Sequence, residues 1–145
     1  MTPLEMSGLE LIQAAADGKL PMATMAETVP MRIVEVSRGR VRFSVRADGR
    51  HLNPLGGVHG GFAATVLDSV TGCAVHTTLE AGVGYGTVDL NVKMLRAVPL
   101  DIELVAEGSV IHVSRSLGVA EGSLRDAAGT LLAHATCTCA IIRRT

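Results

Sequence analysis

The sequence predicts an α+β fold in which an antiparallel sheet wraps one long apolar helix, and three observations carry that prediction. Several segments alternate apolar and polar residues with the period of two that belongs to a strand with one wet face. One stretch, residues 59–76, is apolar almost all round at helical spacing, a pattern that belongs to a buried helix. No repeat, low-complexity tract or linker divides the 145 residues, a length suited to a single domain, 1–145, with a core of its own. With 48% hydrophobic but only 2% aromatic residues and no Trp, that core has to be made of Val, Leu, Ile, Met and Ala.

Taken in order, Ser7-Gly8-Leu9-Glu10 has the spacing of a capping box, and Leu9, Ile12, Ala15 and Ala16 follow at helical intervals before Asp17-Gly18 stops the run. This predicts a short N-terminal helix over about 7–17. Pro21 and Pro30 bracket a loop. Residues 31–36 and 40–45 read as two strands across the Ser37-Arg38-Gly39 turn, with Val41, Phe43 and Val45 on one face and Arg40, Arg42, Ser44 and Arg46 turned to solvent. The central helix follows over about 59–76. Beyond it, Val88, Leu90, Val92 and Met94 alternate with Thr87, Asp89, Asn91 and Lys93 in a strand that ends near Pro99. Residues 102–111, 115–124 and 130–142 complete an antiparallel meander, the last two joined by the turn Asp126-Ala127-Ala128-Gly129.

Composition removes several function classes. A formal net charge of -1 with no basic cluster argues against a nucleic-acid partner. The longest apolar stretch is broken by Asp68 and rich in Gly and Thr, a poor membrane span, so a soluble protein without a membrane partner is expected. Cys73, Cys137 and Cys139 are an odd number without metal-ligand spacing, and the N-terminus does not resemble a signal peptide, which points to a reducing cytoplasm and to structural thiols.

Chemistry appears at the central helix. Asp68 stands in its middle, where Asp has poor helix propensity and a buried charge is costly without partners. A salt bridge or a backbone donor is the ordinary explanation for such a residue. Its neighbours suggest more. Gly60 and Gly61 after His59 leave backbone N–H groups unobstructed at the helix N-terminus, where free donors and the dipole favour a negatively charged oxygen. Eight residues of helix put Gly60 about 12 Å from Asp68, too far for one helix to present both to a single carbonyl. Two copies paired with antiparallel helices bring the Gly60 end of one beside Asp68 of the other, so the site calls for a homodimer.

The run Asn53-Pro54-Leu55-Gly56-Gly57-Val58-His59-Gly60-Gly61 followed by Asp68 resembles the signature of the PaaI-like hotdog-fold thioesterases, a branch of the 4-hydroxybenzoyl-CoA thioesterase superfamily. The segments Thr87-Val88-Asp89-Leu90-Asn91 and Leu95-Arg96-Ala97 extend the resemblance over nearly the whole chain. It implies a hotdog fold, dimers sharing composite sites and commonly paired into homotetramers, and hydrolysis of the thioester of an acyl-CoA without metal or cofactor. Carried over, it makes Asp68 the general base or nucleophile and Gly60 N–H the donor that polarises the carbonyl. Asn53 helps hold the water or thioester, His59 orients the loop and carbonyl, and Thr87 matches a position that often carries a hydroxyl. Gly61 is placed against the substrate, and Arg96, Ser114 and Arg115 near the CoA nucleotide, although arginines at strand ends are usually only solvated. One departure is visible. Related enzymes often carry a hydroxyl one turn after the acid, and here that position is Gly72, with Thr71 one step earlier. Tyr85, the only tyrosine, is a candidate for the acyl pocket or for ordinary packing.

The resemblance raises the prior for aromatic acyl groups over short or medium straight chains. Two other classes compete with the hydrolase: a hotdog acyl-CoA hydratase or dehydratase, using His59 and Asp68 on the acyl chain, and a non-catalytic acyl-CoA-binding module.

Overall fold

Ser7 opens the first helix in the way its capping box requires. In the computed structural model, which describes residues 1–143, the Ser7 hydroxyl accepts from Glu10 N–H at 3.2 Å and the Glu10 carboxylate accepts from Ser7 N–H at 3.0 Å. Helix α1 then runs Gly8–Ala16, preceded by a single 3-10 turn at Pro3–Glu5. The loop expected between the two prolines contains a further short helix, α2 (Met25–Thr28).

Strands β1 (Met31–Ser37) and β2 (Arg40–Val45) form the expected hairpin, with Gly39 at φ 80° in its turn. Helix α3 spans Gly60–His76. After it come β3 (Gly84–Met94), β4 (Leu104–Val113), β5 (Leu117–Arg125) and β6 (Leu131–Ile142). All six strands form one sheet in the order β1-β2-β4-β5-β6-β3, each neighbour pair antiparallel. The turn after β5 is closed by Asp126, whose Oδ1 accepts from Ala128 N–H at 3.0 Å and Thr130 N–H at 2.9 Å.

Helix α3 lies across the concave face, and the sheet residues beneath it are small. Gly108 and Gly122 face each other across β4 and β5. A Cβ on Gly108 would stand 2.1 Å from the Val70 carbonyl oxygen, and one on Gly122 would stand 2.9 Å from Thr71 Cγ2. Ala106, Ala120, Ala133 and Ala135 are buried in the same face. The aromatic-poor composition is thus a condition of close helix–sheet approach. Phe43, Leu67, Leu104 and Leu124 are fully buried around the contact, each contributing roughly 1.5–3 kcal/mol of burial. Helix α1 is pinned to the far end of α3: Gly8 N–H donates to Leu79 O at 3.0 Å, and a Cβ on Gly8 would overlap the His76 carbonyl oxygen.

Three expectations need correction. Residues 102, 103, 115, 116 and 130 lie outside the strands assigned to them, since Asp101 takes φ 60° before β4 and Arg115 and Ser116 sit in the β4–β5 turn. The apolar set of β3 is only partly inward, because β3 is an edge strand with a bulge between Thr87 and Asp89. Val88 is the extra residue there, 65% exposed, and Met94 is 56% exposed. The outward arginines of β2 do more than meet solvent: Arg40 pairs with Glu107 at 2.7 Å and Arg42 with Glu35 at 2.8 Å. Such surface pairs contribute at most about 1 kcal/mol each. Among the described residues no helix is long and apolar enough to cross a membrane.

Candidate active site

Helix α3 carries the site residues at two places, and they open into different cavities. Asp68, in mid-helix, faces a cavity of about 380 Å³ between α3, the α1 face and the 20–26 loop. Leu11, Ile12, Met22, Met25, Met31 and Phe43 give it an apolar wall, and its polar groups gather on one side: Asp68, Ser69, His76, Tyr85 and Thr87. Asp68 Oδ1 is buried and accepts no hydrogen bond from any described residue. A buried carboxylate oxygen without a donor carries a desolvation cost, and native proteins retain such atoms where a ligand or a reaction uses them. Thr87, at the β3 bulge, stands in the same cavity and is within 3.9 Å of Cys137 Sγ. Asp68 and Thr87 therefore line one cavity.

Cys73 also borders this cavity, but burial, with the Asp68 charge adding, pushes its thiol up to about 12, so it stays protonated and is no nucleophile at neutral pH. Cys137 and Cys139 share one face of β6 with their sulfurs 3.7 Å apart, buried as the alternation predicts.

The N-terminus of α3 opens into a second cavity of about 340 Å³ lined by Val58, His59, Gly60, Met94 and Arg96 among others. His59 is the N-cap, and its Nδ1 accepts the Gly61 N–H at 2.8 Å. This corrects the role of Gly61, whose donor is spent on the cap. Gly60 N–H, by contrast, has no partner among the described residues. Gly60 is also closely covered: a Cβ there would meet Met94 Sδ at 2.7 Å. Asn53 Oδ1 accepts from Leu55 N–H at 3.0 Å and Gly57 N–H at 3.2 Å, so Asn53 shapes the loop ahead of the helix and has only its amide NH2 left for a ligand.

The proposed nucleotide contacts separate. Arg96 lines the Gly60 cavity. Ser114 and Arg115 lie at the opposite end of the sheet, because Leu117 aligns with Ala140 and Ala140 with Gly86, eight residues from Met94 and roughly 26 Å away at strand rise. Ser114 ties its N–H, and weakly its hydroxyl, to Leu117 O. One chain cannot place all three on one phosphate.

Two side chains named from the sequence take definite places near the acid. The Thr71 hydroxyl turns back to Leu67 O at 2.7 Å and away from the cavity. The Tyr85 ring instead lies over Gly72 and packs on His76 with ring centres 5.3 Å apart. Tyr85 directly follows Gly82-Val83-Gly84, and the sequence offered it for the acyl pocket or for packing without pointing to its place over Gly72.

Comparison with known proteins agrees with this fold. The thioesterase superfamily model matches residues 55–133, more than half of the chain and including His59, Gly60, Asp68 and Thr87. A proposed esterase of Halobacterium salinarum is 43% identical over 83 residues, 56% of this chain and 54% of that protein, so the chain spans about half the length of that relative. Human acyl-coenzyme A thioesterase 13 is 25% identical over 135 residues, 92% of this chain and 94% of that one. Among solved structures, a phenylacetic acid degradation-related protein of Ralstonia eutropha superposes with a TM-score of 0.81 at 31% identity, covering 88% of this chain and 97% of that one. The sheet-wrapped helix is the hotdog fold.

Proposed function

Because this chain belongs to the thioesterase superfamily, we propose that it hydrolyses the thioester of an acyl-CoA at a site shared between two protomers. The observation that carries this reading is the orphaned Asp68 Oδ1 facing an apolar cavity of about 380 Å³, large enough for an aryl or medium-length acyl group. Aromatic acyl groups are favoured over straight chains, a preference supported by the description of the Ralstonia relative.

In this reading Asp68 takes a proton from water, the water oxygen adds to the carbonyl carbon, and negative charge grows on the carbonyl oxygen. Gly60 N–H of the partner protomer, at the positive end of its α3, stabilises that charge. Collapse of the adduct breaks the C–S bond, the acid leaves with both oxygens, and the CoA thiolate takes up the proton. Direct attack by Asp68 through a mixed anhydride uses the same carboxylate and ends in the same products. Neither route requires a metal or cofactor.

Pairing is supported by the separation of Gly60 and Asp68 into two cavities and by the exposed edge of β3, whose backbone groups are available to a second β3. Antiparallel pairing there sets Arg96 of one protomer at the same end as Ser114 and Arg115 of the other, which would let them share the CoA nucleotide. Exposed Ile111, Val113 and Leu117 give dimers an apolar surface to pair into tetramers. Three free thiols suit the cytoplasm.

The test is release of free thiol from a panel of aromatic and straight-chain acyl-CoAs by wild type and Asp68→Asn. The expected result is turnover by wild type, fastest with aryl esters, and a loss of at least about a hundredfold in the variant. Hydration of an enoyl-CoA with no thiol released would replace the hydrolase by a hydratase, and equal turnover by the variant would remove Asp68 from the chemistry.

A further inference from the structure

The helix position one turn after Asp68 is Gly72, which has no side chain to offer the cavity. What fills that space comes from the sheet. A Cβ built on Gly72 would stand 2.9 Å from Tyr85 Cε2 and 3.0 Å from Tyr85 Oη, so the phenol occupies the volume a side chain at position 72 would take. Residues four apart on a helix are about 6 Å apart along its axis, which puts the phenol oxygen roughly one turn from the acid and on the same face.

Tyr85 and Asp68 line the same cavity, and the phenol oxygen makes no hydrogen bond to any described residue. Asp68 Oδ1 is likewise without a donor. Two unpartnered oxygens, one a carboxylate and one a hydroxyl, thus border the same space at neighbouring turns. The ring is held on two sides, by Gly72 and by His76, so its oxygen has a fixed position.

We propose that Tyr85 Oη is the second anchor of the water that Asp68 activates. The water gives one hydrogen to Asp68 Oδ1 and the other to Tyr85 Oη, which leaves an oxygen lone pair directed at the thioester carbon. Burial, more than the nearby thiols and the Asp68 charge, raises the phenol above its ordinary 10.0, so it stays neutral and does not compete with Asp68 for the proton. Gly72 is required by this arrangement, because a larger residue there would displace the ring. The inference rests on the hydrolase reading above, with Asp68 acting on water.

The test is steady-state hydrolysis of phenylacetyl-CoA and hexanoyl-CoA by wild type, Tyr85→Phe, Asp68→Asn and the double variant. Phenylalanine keeps the ring on Gly72 and His76 and removes only the oxygen. The expected result for Tyr85→Phe is a kcat lower by roughly tenfold, the worth of one neutral hydrogen bond, with KM, melting temperature and oligomeric state unchanged. In the Asp68→Asn background the same change should cost less than about twofold, since a water that is not deprotonated gains little from being held. A kcat for Tyr85→Phe within about twofold of wild type, while Asp68→Asn is inactive, overturns the role of Tyr85 and leaves the hydrolase reading standing. So does an equal loss in both backgrounds, which would mark a packing effect. Failure of wild type to cleave either ester, or full activity of Asp68→Asn, overturns both readings.

Discussion

The titratable groups around the Asp68 cavity respond to burial in opposite directions, and the sign of each fixes a pH dependence. Burial lowers His76 from its ordinary 6.5 and raises Cys73 from 9.0 to about 12; it also raises Tyr85 from 10.0. Each shift favours the neutral form. For His76 the folded state binds fewer protons than the unfolded chain just below pH 6.5, so its stabilisation is present above that pH and is lost as pH falls. For Cys73 the unfolded thiol ionises near 9.0 while the folded one holds its proton to about 12, so stability is full below 9.0 and declines as pH rises through that window. Tyr85 adds to the same alkaline decline from 10.0 upward. Melting temperature should therefore be highest between about pH 6.5 and 9 and fall on both sides. In Cys73→Ala the alkaline decline should be shallower, because one of the thiols that ionise near 9.0 in the unfolded chain and are held neutral in the fold is gone. A melting temperature that stays level to about pH 11 would contradict the burial of both groups.

Between elements, the decisive contact is that of α3 on the glycines of β4 and β5. A methyl on Gly108 would stand 2.1 Å from the Val70 carbonyl oxygen, a backbone atom inside a helix that cannot rotate away. Gly108→Ala should thus cost about 3 kcal/mol or more, at the upper end of overpacking effects, and lower the urea midpoint accordingly. Gly49→Ala, at a position with nothing within 4 Å, should change stability by less than about 0.5 kcal/mol and serves as the control. A Gly108→Ala midpoint equal to that of Gly49→Ala would mean that the helix does not rest on the sheet. These contacts explain what could be read from the sequence and what could not. The bounds of α1, the β1–β2 hairpin and α3 were legible because capping boxes, turn glycines and periodicity are local. The edge position of β3, and with it the exposure of Val88 and Met94, was not, since alternation says which residues share a face and nothing about a strand's neighbours. Asp68 stood out as a charge in an apolar helix and Gly60 as a bare helix start. By contrast, Gly60 and Gly61 look equivalent until His59 is seen to take one N–H, and Tyr85 acquires its place only through a ring that meets Gly72 across 13 residues of chain.

For the molecule as a whole, the proposed function makes the assembly itself part of the site, and this can be tested without a structure of the dimer. Gly60→Pro removes the one N–H proposed to polarise the carbonyl, at a position that suits proline. Gly60 is the first residue of α3, where proline is well tolerated, and His59 before it already has the extended backbone a following proline demands, at φ -63° and ψ 138°. The ring would press on the end of the flexible Met94 side chain, which is 56% exposed and able to move. Asp68→Asn removes the acid and leaves the helix start untouched. Each variant alone should lose about a hundredfold or more in turnover, because each homodimer has two incomplete sites. Refolded together in equal amounts, the two should form mixed dimers as half of the population. Every mixed dimer pairs the intact Gly60 of one protomer with the intact Asp68 of the other at one of its two sites. Recovery of about a quarter of wild-type turnover is therefore expected, half of the dimers with half of their sites. A mixture that remains as inactive as its components would place both groups in one protomer's site, contrary to the 12 Å or so that eight residues of straight helix put between them.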